Sequence, residues 1–286
     1  MQFEGLEHSP NIIYTGAAPN QQVLPAVDWA IKHLGKKFFL VGSDYVFPRC
    51  ANEIMSGRIK ELKGTVVGEE YERIGGSNFK AIVKKIAQTK PDVILNTING
   101  DSNIDFFKTL RAAGITPKRI PTISFSIAEE EISRMHPETM AGDYAAWSYF
   151  QSINAKENAQ FIRNFQQRYG KHRVTSDPIE TAYCTVDLFA QALRKAGTDD
   201  VTAIRESARG IHFTAPEGSI RIDPDNLHLH RIARIGKLKE DGQFQIIWSS
   251  ESPLKPDPYP KYKSQAEWHA FVEKLRKTWK GHWARP

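Results

Sequence analysis

A chain of 286 residues, 40% of them apolar, has material for two compact α/β units or one large one. Its apolar runs, such as Lys37 to Gly42, fall far short of the roughly 20 residues that span a bilayer, so membrane insertion is excluded. The formal charge of +6 is scattered among 33 acids and gathers only in Lys274-Leu275-Arg276-Lys277 and Lys280; with no recognition motif beside it, this reads as a solvated helix face and not as a nucleic-acid surface.

The opening, Met1-Gln2-Phe3-Glu4-Gly5 and then Pro10, lacks the basic start and apolar run of a secretory signal, so no signal peptide is expected in this chain. Cys50 and Cys184 are too few for a disulfide framework and lack zinc-site spacing, so both are expected as free thiols. From Gln21 to Ile132, amphipathic helices alternate with short apolar strands, the rhythm of a parallel sheet. Helix is expected over Pro25–Leu34, Arg49–Leu62, Asn78–Thr89 and Ile104–Ala113; strand is expected over Lys37–Val41, Thr65–Tyr71, Val93–Thr97 and Thr122–Ser126. Four strands with their crossovers make one complete lobe.

Met140 to Phe150 reads as an extended aromatic segment, after which three helices follow without a strand: Asn154–Tyr169, Pro178–Ala196 and Val201–Arg209. Their apolar faces, with Phe161, Phe165, Tyr183 and Leu188 prominent, need a sheet that the few residues before Gln21 cannot build. The expectation is that strands from upstream of Met1 supply it, leaving these faces under-covered here. Ile220–Ile222, Ile232–Ile235 and Phe244–Trp248 read as an antiparallel meander, followed by a Pro-rich run from Pro253 to Tyr262 and a last helix over Gln265–Trp279.

Catalytic patterns are scarce. His228 and His230 alternate as a metal pair on a strand could, but no cysteine supports them and a third ligand would have to be Asp223 or Asp225; a water-exposed turn and strand is the better reading, and no metal is expected. Glu129-Glu130-Glu131 suits the first turn of a helix, where the helix dipole favours acids. Gly75-Gly76-Ser77 reads as a turn, and there is no GxSxG elbow, P-loop or GxGxxG, so neither an enzyme nor a cofactor is expected.

Ligands of open α/β sheets bind outside the carboxyl ends of the strands. Here those ends lead into Gly42-Ser43-Asp44-Tyr45-Val46-Phe47-Pro48-Arg49, into Asn96-Thr97-Ile98-Asn99-Gly100-Asp101-Ser102-Asn103 and into Ser124-Phe125-Ser126. Asp44, Tyr45, Asn99, Asp101 and Ser126 are therefore expected on one concave rim.

The segment from Gly42 to Arg49, together with Ser9-Pro10-Asn11-Ile12-Ile13-Tyr14-Thr15-Gly16-Ala17-Ala18-Pro19-Asn20-Gln21-Gln22, Ile94-Leu95-Asn96-Thr97-Ile98-Asn99-Gly100-Asp101, Phe125-Ser126-Ile127-Ala128-Glu129-Glu130-Glu131, Gly142-Asp143-Tyr144-Ala145-Ala146-Trp147, and Ala215-Pro216-Glu217-Gly218 leading to Ile222-Asp223-Pro224, resembles the urea-binding proteins of ABC transporters, with amide-binding sensors as cousins. The resemblance runs in order along nearly the whole chain. It implies the type I periplasmic-binding fold, two Rossmann-like α/β lobes joined by three crossing segments, with the N-terminal lobe incomplete. Residues 1–20 would be the remnant of that lobe and the first crossing, 21–140 the C-terminal-type lobe, 141–212 the second crossing and the N-terminal lobe's helices, 213–250 a meander near the hinge, and 251–286 an extension with a terminal helix.

By the same resemblance Tyr45 matches a pocket tyrosine, Phe47 stands where amide-binding relatives can carry a second one, and Asn99 and Ser126 fall on ligand-contacting loops; Asp101 is added on the chemistry of the rim. The implied function is extracytoplasmic delivery of urea or a short-chain amide to ABC permease subunits, with weakened binding in a chain lacking part of one lobe. A cytoplasmic amide-sensing regulator, told apart by neighbouring genes, and an amidohydrolase, told apart by ammonia release, are the alternatives. Oligomerisation is left open.

Overall fold

The computed structural model describes residues 9–135 and 137–286. In chain order the elements are α1 (Val23–His33), β1 (Lys37–Ser43), α2 (Val46–Glu61), β2 (Thr65–Glu72), α3 (Lys80–Thr89), β3 (Val93–Thr97), α4 (Ser102–Ala112) and β4 (Thr122–Ser124). Two short helices, α5 (Glu129–Ser133) and α6 (Pro137–Met140), precede β5 (Tyr144–Trp147). Then come α7 (Lys156–Tyr169), α8 (Asp177–Ala196), α9 (Val201–Ala208), β6 (His212–Ala215), β7 (Gly218–Ile222), β8 (Leu229–His230), β9 (Arg234–Leu238), β10 (Phe244–Ser249) and α10 (Gln265–Thr278).

Buried apolar side chains on both faces of β1 and β3 require a layer on each side of the sheet. Phe38, Leu40 and Leu95 pack with Val27, Ile54 and Trp268 from α1, α2 and α10; Phe39, Val41 and Ile94 pack with Ile86, Phe106 and Leu110 from α3 and α4. The sheet has seven strands in the order β10-β9-β5-β4-β3-β1-β2. Strands β1 to β5 are mutually parallel, while β9 is antiparallel to β5 and β10 to β9. The four-strand lobe expected over 21–140 is thus extended by β5 and by a hairpin that returns from residues 234–249.

A second, antiparallel sheet, β6-β7-β8, packs Ile220, Ile222 and Leu229 against Cys184, Leu188 and Ala192 of α8. The segment read as one meander is therefore split, with β7 in the small sheet and β9 and β10 in the large one. Backbone pairing decides this: β9 hydrogen-bonds β5, and β7 hydrogen-bonds β6 and β8. Tyr14 continues the small sheet by pairing with His228, donating to Leu227 O at 2.9 Å and accepting from Leu229 N at 3.1 Å. The chain passes between the two sheets three times, through 15–22, 148–155 and 231–233.

Of the side chains expected to be under-covered, Tyr183 is exposed, while Phe161 and Leu188 are not. Phe161 and Leu188 are buried and Phe165 is half-buried, whereas Tyr183, Val186, Phe189 and Leu193 are exposed along α8, with Tyr169 of α7 and Val201 of α9 beside them. Leu188 is covered because the small sheet, only partly foreseen, packs on its side of the helix. A helix apolar on two sides belongs between two layers, and only one layer covers α8 among the described residues.

Candidate functional site

The parallel strands place their carboxyl ends side by side, so Asp44 and Tyr45 after β1, Asn99 after β3 and Ser126 after β4 share one rim. Gly42 allows this close approach: a Cβ there would lie 2.5 Å from Thr97 Oγ1 and 2.8 Å from Pro48 Cβ. A polar ladder ties the strand ends together. Asn99 N donates to Ser43 Oγ at 3.1 Å, Asn96 Nδ2 donates to Ser124 Oγ at 3.2 Å, and Ile98 N donates to Asn96 Oδ1 at 2.9 Å.

Within this frame Tyr45 is half-buried, and Asn99 donates Nδ2 to Thr97 O at 3.2 Å, leaving Oδ1 as its acceptor for an outside donor. Ser126 is half-buried on the same rim. Asp101, at the start of α4, is largely exposed and pairs with Arg134 at 3.4 Å. Phe47 lies inside α2 and is buried in the core, 6.0 Å from the Tyr45 ring between centroids, so it supports Tyr45 from behind. Asp44 accepts from Arg49 Nε at 2.9 Å and NH2 at 2.7 Å, and the same guanidinium lies 3.5 Å from the Tyr71 ring centroid. The rim's basic side chains are thus already engaged.

At the crossings lies a separate cavity of about 590 Å³ lined by Thr15, Ala17, Gln22, Trp147, Asp177 and Thr181. Gln22 Nε2 donates to Phe125 O at 3.2 Å and Ala146 O at 2.8 Å, bridging the ends of β4 and β5, while its Oε1 is buried without a partner. Gln21 Nε2 reaches Leu229 O and Leu254 O, both at 2.8 Å. Trp147 Nε1 donates to Ile127 O at 2.7 Å, which holds the indole against the cavity. Neither Gln22 nor Trp147 was singled out from the sequence. Their signal was the position of each at the edge of a crossing, where a polar amide and an indole have no solvent-facing reason to be.

Glu129, Glu130 and Glu131 stand in the first turn of α5 as expected, but Glu129 is buried: one oxygen accepts from Gln151 N at 2.7 Å and the other has no partner, and burial pushes its carboxyl up to about 8. Glu131 closes a capping box on Ala128 N at 2.9 Å, and Glu130 lies 3.5 Å from Arg173. His228, expected in water, is buried and stacked on Tyr14 at 4.1 Å, while His230 Nε2 binds Asp223 Oδ2 at 2.8 Å. Each imidazole has its own structural partner, and among the described residues no group of three or more His, Cys, Asp or Glu is arranged to hold a metal. Nor is any helix among them long and apolar enough to cross a membrane.

Comparison with known proteins supports the fold on independent ground. A solute-binding protein of an ABC transporter from R. palustris, solved with 4-hydroxybenzoate, superposes with a TM-score of 0.78 at 20% identity, over 86% of this chain and 68% of that one. A leucine-binding protein from Thermotoga maritima superposes with a TM-score of 0.68 at 20% identity, over 81% and 65%. Among curated proteins, a Leu/Ile/Val-binding protein homolog of Brucella melitensis is 21% identical over 224 residues, covering 77% of this chain and 57% of its own length. A limonene hydroxylase of Geobacillus stearothermophilus is 37% identical over 118 residues, covering 41% and 22%. The chain thus spans between about a fifth and three fifths of the length of these two curated relatives. The periplasmic binding protein domain matches residues 1–265, nearly the whole chain, and with the two sheets and three crossings described above it establishes that the chain belongs to this family and has its type I α/β fold.

Proposed function

We propose that the protein is the solute-binding component of an ABC importer, acting outside the cytoplasm, and that its solute is urea or a close short-chain amide. The observation that carries the choice of solute is the orientation of Asn99, whose Nδ2 gives one of its two hydrogens to Thr97 O while Oδ1 remains for an N–H donor. Urea offers four N–H donors and one carbonyl in a plane, so it suits a site with several acceptors and a flat wall. Asn99 Oδ1, the Ser126 hydroxyl and Asp101 supply acceptors, and Tyr45 supplies the wall. Arg49 and Arg134, cations that could pair with a carboxylate solute, are already paired with Asp44 and Asp101.

This rim is one wall of a cleft. The exposed apolar face of α8 supports the reading that a second α/β layer would form the other wall. A solute contacted from one side keeps most of its surface in water, so affinity of the 286-residue chain for urea is expected to be weak, about millimolar. Titration with urea, acetamide, leucine and 4-hydroxybenzoate, followed by amide NMR shifts, tests the reading. Saturable shifts at Tyr45, Asn99 and Ser126 are expected with urea or acetamide, lost in Asn99→Leu. A response confined to leucine or 4-hydroxybenzoate would overturn the choice of solute, and silence with all four would overturn the rim as the site.

A further inference from the structure

The last five residues of the chain return to the rim. After α10, Trp279 is buried, the backbone turns at Gly281 with φ +89°, and residues 282–286 run beside the loop between β1 and α2. Val46 N donates to Trp283 O at 2.9 Å, Arg285 N donates to Asp44 O at 2.9 Å, and Tyr45 faces Ala284 across an antiparallel bridge. The Arg285 guanidinium lies 3.7 Å from Asp44 Oδ2, the oxygen that Arg49 leaves free. The family match ends at residue 265, so this strap lies outside it.

Its placement answers a local deficit. Tyr45 is the N-cap of α2, and its side chain makes no capping hydrogen bond there. The first amides of a helix have no partner within the helix, and serine, threonine, aspartate or asparagine normally stands at this position to serve one of them. Here the Trp283 carbonyl takes the first of these amides, that of Val46.

We propose that residues 282–286 are a positioning element for Tyr45: the strap fixes the extended backbone of Asp44 and Tyr45 and so sets how tightly the cleft holds its solute. This rests on the reading of Tyr45 as a wall of the amide site. Two further observations bind the strap to the fold. Trp268 of α10 is fully buried and donates Nε1 to Pro260 O at 2.9 Å, and α10 as a whole packs on α2, the helix that Tyr45 begins. The strap therefore moves with α2 as one body, and its grip on the loop is local.

The test compares the full chain with a chain ending at Gly281 and with Arg285→Pro, which removes the N–H bonded to Asp44 O and leaves the rest of the strap. Amide exchange is read at Val46 and in β3 and β4, and urea affinity is read by NMR titration. In the chain ending at Gly281, which loses the Trp283 carbonyl, Val46 is expected to exchange about tenfold faster or more, as for the loss of a protecting hydrogen bond; in both variants urea is expected to be held several-fold more weakly, with protection in β3 and β4 unchanged. Unchanged exchange at Val46 in the shortened chain would overturn the proposal, as would protection lost equally in β3 and β4, which would mark the strap as a general stabiliser. Faster exchange with unchanged urea affinity would also overturn it. If the full chain gives no saturable response to urea, the solute reading fails by itself, and the exchange at Val46 still decides whether the strap holds the loop.

Discussion

Arg231→Met is expected to cost about 3–5 kcal/mol of stability, a large share of the roughly 5–15 kcal/mol that keeps a typical domain folded. The guanidinium is fully buried and ringed by acids: Nε lies 3.0 Å from both oxygens of Glu217, and NH2 lies 3.3 Å from Asp177 and 3.4 Å from Glu180 while also binding Glu217. NH1 donates to Thr15 O at 3.2 Å in the first crossing. Asp177 in turn accepts from Ser148 N at 3.0 Å and Tyr149 N at 2.8 Å in the second crossing. Arg231 itself opens the third, so one cation joins all three. Removing it strands three carboxylates in a dry site, which is costlier than any loss of attraction. Burial and the nearby Glu217 already push Glu180 up to about 8. Guanidinium denaturation followed by circular dichroism measures the effect. Adding Glu217→Gln should recover part of the loss, and a cost under about 1 kcal/mol for Arg231→Met alone would show that the cluster does not hold the crossings.

Glu129→Gln is expected to stabilise the protein by a few kcal/mol at about pH 9 and to have little effect at about pH 5. Burial raises this carboxyl from its ordinary 4.5 to about 8, with Asp177 and Glu131 adding repulsion. Between those values the folded chain keeps a proton that the unfolded chain has lost. The stability this proton contributes is therefore complete below about pH 4.5 and is lost as the pH rises through about 8, at roughly 1.4 kcal/mol per pH unit for one group. Glutamine still accepts from Gln151 N and has no charge to desolvate. Urea or guanidinium unfolding of both proteins across this range gives the difference directly. A constant offset at every pH would show that Glu129 is ionised in the folded chain.

Much of the large sheet was legible because its strands are short, almost wholly apolar runs between helix signals. Val93–Thr97 has identical bounds in sequence and structure, and Lys37–Val41 extends by two residues to Ser43. Strands β6 and β8 were not legible: His212-Phe213-Thr214-Ala215 alternates over only four residues, and Leu229-His230 is too short to show any period. The same applies to the hairpin, since Arg234–Leu238 looks alike in either sheet until its partner is known. On the rim, Tyr45, Asn99 and Ser126 could be located because they follow strand ends, a property of position. The burial of Glu129 could not be read, because it comes from tertiary packing, and its contacts to Gln151 N and the charge of Asp177 come from 22 and 48 residues away in sequence. Arg231 carried no local mark either; its acids come from α8 and from the β6-β7 turn.

The order of strands in the large sheet also sets a schedule for the nascent chain. Strands β1 to β5 lie within residues 37–147 and can associate as they leave the ribosome, but the strand that covers the outer edge of β5 begins only at Arg234. At typical synthesis rates the intervening stretch of about 90 residues takes roughly 5–20 s to make. Throughout that interval β5 presents Tyr144, Ala145, Ala146 and Trp147 with an unpaired row of backbone groups, a template for any other extended chain. The β9-β10 hairpin is therefore the step that ends a period of vulnerability to mispairing, and it arrives with its own partner already in hand, since β9 and β10 are separated by five residues and pair locally.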